Sequence, residues 1–73
     1  MATSVRAHIT GTVWKIEVAI GDAVTEGQTL VILESMKMEM PVEAPNAGKV
    51  SAILTKEGAA VEEGAVLVEL EAG

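Results

Sequence analysis

Apolar and polar residues alternate through much of this chain at the two-residue period of a half-buried β-strand. Val5, Ala7 and Ile9 alternate with Arg6 and His8 across residues 5–9. Residues 12–20 continue in nearly the same way and are rich in β-branched side chains. Residues 28–35 form an almost continuous apolar run, which predicts a strand buried on one face and partly covered on the other. Extended segments are also expected over 38–44, 49–56 and 65–71, with Pro41 and Pro45 confining the first to a sheet edge or strand end. Turn signals separate these runs at Thr10-Gly11, Gly21-Asp22, Glu26-Gly27, Asn46-Ala47-Gly48, Glu57-Gly58 and Glu63-Gly64. Between the second and third of them, Ala23 and Val24 are expected to tuck inward. No segment sustains a helical period, so the pattern predicts an all-β chain.

The glycines carry a second signal. An offset of 37 residues takes Gly11 to Gly48, Gly21 to Gly58 and Gly27 to Gly64. It also takes Val5 to Val42, Ala7 to Ala44, Val13 to Val50, Ile16 to Ile53, Leu30 to Leu67, Val31 to Val68, Leu33 to Leu70 and Glu34 to Glu71. Chance likeness between valine-rich strands would not keep six glycines in register, so the chain is an internal repeat. Its halves run over about 5–36 and 42–73. Neither half can bury its apolar face alone, but two halves facing each other can. The expected fold is a flattened barrel or sandwich of two four-stranded antiparallel sheets with pseudo-two-fold symmetry.

The repeat leaves one position unmatched. Between the two halves lies Glu34-Ser35-Met36-Lys37-Met38-Glu39, read as a tight hairpin over 34–39 with Met36 and Lys37 at its corners. Lys37 has no counterpart, because the second half ends at Glu71-Ala72-Gly73. The hairpin is therefore expected at one end of the body and the chain ends at the other. A lone amine at a turn tip is open to covalent modification from almost every side. Two-residue hairpins favour Gly, Asn or Asp at positive φ, so Met-Lys implies either a strained turn or a turn of another type.

Composition narrows the chemistry. Seventy-three residues allow one domain. Trp14 is the single aromatic, so the core must be aliphatic, and with no cysteine there is no disulfide or thiolate site. The formal charge of −6, with Arg6, Lys15, Lys37, Lys49 and Lys56 scattered, argues against nucleic-acid binding and for a monomer kept in solution by its acid excess. No run approaches the about 18 apolar residues of a membrane helix, and the N-terminus has no signal-peptide pattern. A cytoplasmic location is expected. His8 is the only histidine and has no ligand spacing around it, and no serine has a base arranged beside it. Trp14, opposite Ser51 in the repeat, is expected to be packing.

A Met-Lys-Met tripeptide at a hairpin between two glycine-marked β halves resembles the biotinyl domain family, the biotin carboxyl carriers. Met36-Lys37-Met38 matches the motif, with Ser35 where alanine is more usual, and the resemblance spans about Val5 to Glu71. No insertion interrupts Gly11 to Glu34, so a carrier without the thumb loop of some relatives is expected. The chain resembles either a free-standing attachment protein, which an initial Met1 favours, or a domain of a larger one.

The resemblance implies one biotinyl/lipoyl attachment domain over 1–73 that carries a cofactor and is not a catalyst. A biotin protein ligase would join biotin to Lys37 through an amide. The tethered biotin would then carry carboxybiotin between a biotin carboxylase and a carboxyltransferase. Met36 and Met38 read as partly exposed, adaptable apolar contacts for ligase or carboxylase. Glu34 matches an acid that biotinyl and lipoyl domains carry and implies ligase recognition, whereas Glu39 reads as a solvated charge. The alternative is a lipoyl carrier of a 2-oxo acid dehydrogenase or glycine cleavage system. Met36 stands where lipoyl domains place an acid, which favours biotin. A cofactor-free adaptor of periplasmic type would need a long helical hairpin at the tip, for which no sequence is present.

Overall fold

Every regular element within residues 2–71, the part of the chain that the computed structural model describes, is a β-strand. In order these are β1 (Ala2–Arg6), β2 (Gly11–Ile16), β3 (Ala23–Val24), β4 (Thr29–Ser35), β5 (Met38–Glu43), β6 (Gly48–Ile53), β7 (Ala60–Val61) and β8 (Val66–Glu71). They build two antiparallel four-stranded sheets, ordered β1-β8-β6-β3 and β5-β4-β2-β7. The offset of 37 carries β1–β4 onto β5–β8 and one sheet onto the other. The final residues of the expected second half, Ala72 and Gly73, lie outside the described residues.

The two halves do not face each other as separate sheets. Each sheet takes two strands from each half. The hairpin dictates this exchange: a two-residue loop has no length to cross the core, so β5 must pair with β4. The symmetric counterpart is the pairing of β1 with β8, where Ala2 lies opposite Glu71 as Glu39 lies opposite Glu34. Under the repeat, the terminal strands occupy the place that answers to the hairpin in the other sheet. The body measures 35 × 17 × 17 Å.

The core is entirely aliphatic, and no polar or charged described residue is buried. Its fourteen buried members include six repeat pairs: Val5/Val42, Ala7/Ala44, Val13/Val50, Leu30/Leu67, Val31/Val68 and Leu33/Leu70. Val18 and Val24 complete the set. Strict alternation would not bury Leu30 together with Val31, or Leu67 together with Val68. A register shift at each place admits one extra residue, and this bulge lets both neighbours be fully buried.

Several sequence expectations are corrected in detail. The strand expected over 5–9 is β1, ending at Arg6, and that expected over 12–20 ends at Ile16. In both places the inward pattern outlives the ladder: Ala7 and Val18 stay buried, and the Ala7 N–H donates to the Ala65 carbonyl at 2.8 Å. Of Ala23 and Val24, only Val24 turns inward. Trp14 is not core packing; it is 48% exposed and sits at a bulge between Val13 and Lys15. Ser51 occupies the matching bulge in β6. Gly11 and Gly48 do not make left-handed turns. They open β2 and β6, and a Cβ on either would stand 2.6 Å from the Glu34 or Glu71 carbonyl oxygen respectively.

Candidate functional site

The β4–β5 hairpin rises from a buried footing. Leu33, fully buried, lies opposite Met40, followed by Glu34 opposite Glu39 and Ser35 opposite Met38. The loop that remains is Met36-Lys37, with φ of 52° and 65°. Positive φ at both central residues defines a type I′ turn, whose twist matches that of the strands it joins. Of the two possibilities open at the sequence level, strain is the one realised. Among the described residues these are the only non-glycine ones at positive φ, and each such conformation costs about 1 kcal/mol or more.

Behind the stem stands β2, with Thr12 opposite Glu34. Gly11 brings its backbone against the Glu34 carbonyl and the Ser35 side chain, a contact that no larger residue allows without a shift. The hairpin is thus held from below by Leu33 and from the side by Gly11. Sequence reading took Gly11 for a turn glycine. Its pairing with Gly48 in the repeat carries no signal of this role, because turn glycines and close-approach glycines repeat alike.

All four predicted site residues, Glu34, Met36, Lys37 and Met38, meet on this hairpin, and all four are exposed. Met36 is 92% exposed and Met38 61%. The one ion pair among the described residues joins Lys15 and Glu17 at 3.9 Å, and Lys37 has no side-chain hydrogen bond there. Its amine is free to attack an activated acyl group and form an amide. Glu39 is exposed, as a solvated charge is, and lies directly across from Glu34. His8 and Trp14 are not on this hairpin. Nothing in the arrangement pairs a nucleophile with a base; it presents a modifiable amine between two apolar side chains.

Residues 1–70 match a family model described as biotin-requiring enzyme, the biotin–lipoyl family. The chain is also 46% identical over 67 residues to a biotin/lipoyl attachment protein of Bacillus subtilis (strain 168), covering 92% of both chains. This chain belongs to the biotin–lipoyl family. A second relative within that family's reach, a biotin carboxyl carrier protein of Streptococcus mutans, is 44% identical over 69 residues. The match covers 94% of this chain and 53% of that one. Among solved structures, the urea carboxylase of Kluyveromyces lactis contains a region that superposes with a TM-score of 0.92 at 39% identity. That match takes in 97% of this chain and 6% of the carboxylase. This biotin–lipoyl domain thus spans nearly all of one relative, about half of another and a small part of a large enzyme.

Proposed function

We propose that this domain is a biotin carrier and that Lys37 is the residue to which biotin is joined. The observation that carries the reading is the hairpin itself: one exposed amine held at a strained two-residue tip between two exposed methionines. The donor set fits the group, since amide formation needs an accessible primary amine and no buried cradle. When bound, biotin supplies the chemistry of carrying a carboxyl group. The chain's own residues hold the attachment point away from the body, leave it open on all sides and offer Met36 and Met38 as contacts. The domain is a non-catalytic component, and tethering raises the local concentration of the cofactor at its partners' sites.

Those partners are a biotin protein ligase and, in a biotin-dependent carboxylase system, a biotin carboxylase and a carboxyltransferase. The monomeric state and a cytoplasmic location belong to the same reading. A lipoyl carrier is the second reading, since the Bacillus subtilis relative is named for both groups. The carrier and carboxylase among the similar proteins favour biotin, as does Met36 before the lysine.

The test is intact mass and peptide mapping after incubation with biotin, lipoate and the matching ligases. A biotin adduct confined to the peptide holding Lys37 is expected, with none on a folded Lys37→Arg variant. Labelling that persists in the variant would move the site to another lysine. A lipoyl adduct alone would assign the domain to the second reading.

A further inference from the structure

We propose that Met36 and Met38 form a peroxide-sensitive switch on the loading of Lys37: oxidation of the two thioethers to sulfoxides blocks attachment at the amine between them. The inference rests on the reading of Lys37 as the attachment site. It starts from the poor local fit of Met36 to its position. At φ 52° an asparagine or glycine would relieve strain, and at 92% exposure the side chain gains almost nothing from burial. Met38, 61% exposed, is also largely uncovered. Two apolar side chains that the fold does not use therefore flank the one amine that stands between the two repeats. Both are chain neighbours of Lys37, so a partner surface that closes on the amine meets them.

Exposure makes the same sulfurs reactive. A hydroperoxide transfers its distal oxygen to the thioether: the O–O bond breaks, an S–O bond forms, and the sulfur loses two electrons. With hydrogen peroxide the other product is water. Met36 and Met38 stand open to this attack, whereas Met40, further down β5, is half-buried. Their oxidation touches no core residue, so the fold survives it. What changes is the tip's surface, from apolar and polarisable to strongly polar. An apolar partner surface that closes over a sulfoxide must strip its water without replacing the hydrogen bonds. The amine itself is unaltered, and reduction of the sulfoxides restores the original tip.

The experiment oxidises the cofactor-free protein with hydrogen peroxide, removes the peroxide, and then adds untreated ligase, biotin and ATP. Peptide mapping should place the first added oxygen atoms on Met36 and Met38 ahead of Met40, with the melting temperature unchanged. The initial rate of biotin attachment should fall by about tenfold or more, the scale of one unsatisfied polar group in a contact. Methionine sulfoxide reductases should restore it, and a Met36→Leu, Met38→Leu variant should load at the same rate with and without peroxide. An unchanged rate in the doubly oxidised protein would overturn the switch, as would loss of the fold before the rate falls. Failure of untreated protein to load would instead overturn the reading of Lys37 itself.

Discussion

Met36 and Lys37 occupy a backbone region that disfavours both of them, and no contact within the described chain offsets this. Both residues stand at positive φ in a type I′ turn, for which Asn-Gly is the favoured pair. Met36→Asn should therefore raise the unfolding free energy by about 1 kcal/mol, read as a higher urea midpoint at unchanged slope. The same variant should accept biotin more slowly, because it removes an exposed thioether beside the amine. A loss of stability would show that Met36 makes contacts its exposure conceals. Glu34 and Glu39, directly opposed one pair below the tip, add a further small penalty. Local stability has been conceded at this tip. The motif was legible in the sequence as Met-Lys-Met, but its conformation was not, since φ depends on how the two strands meet.

At the scale of elements, the hairpin depends on the strand beside it. Gly11 and Gly48 are repeat mates, and a Cβ on either would come to 2.6 Å from a backbone carbonyl of the neighbouring strand. Gly11→Ala and Gly48→Ala should each destabilise the domain by about 1–3 kcal/mol, as overpacking does. Their effects on function should differ. The Gly11 clash falls on Glu34, the stem of the hairpin, whereas the Gly48 clash falls on Glu71 in the other sheet. Biotin attachment measured below the melting temperature should slow only in Gly11→Ala. Equal rates in the two variants would mean that the stem does not position Lys37. The strand ends departed from the apolar pattern for a related reason. Ala7 and Val18 are buried although the chain has left the ladder, because alternation reports which way side chains face and not where hydrogen bonding stops.

At the scale of the whole molecule, both halves build the core, with eight of its fourteen buried members from the first and six from the second. Leu33 and Leu70 are fully buried and are repeat mates in β4 and β8, the strands to which β5 and β1 attach. Leu33→Ala and Leu70→Ala should each cost about 2–5 kcal/mol. The two costs should agree within about 1 kcal/mol, although one site lies under the Lys37 hairpin and the other does not. Both are read from chemical denaturation. A domain of this size has total stability on the order of 5–15 kcal/mol, so either change removes a large share. A much smaller cost at Leu70 would show that the halves are symmetric in shape but not in energy. Mixing of strands between sheets is what makes equality the expectation, since no half holds a core of its own.

Sequence alone determined the all-β class, the repeat at offset 37, the aliphatic core and the lysine placed between the two halves. Each of these follows from side-chain type and spacing, which local physics reads directly: alternation for strands, glycine register for duplication, a tight loop for a tip. Tertiary structure decided how the halves combine, because sheet order depends on which strands a two-residue loop forces together. It decided that Gly11 and Gly48 serve close approach and not a turn, and that Trp14 lies outside the core. It also settled the type I′ conformation at Met36 and Lys37 and the facing of Glu34 by Glu39. These are relations between strands, and they exist only once the register between those strands is set.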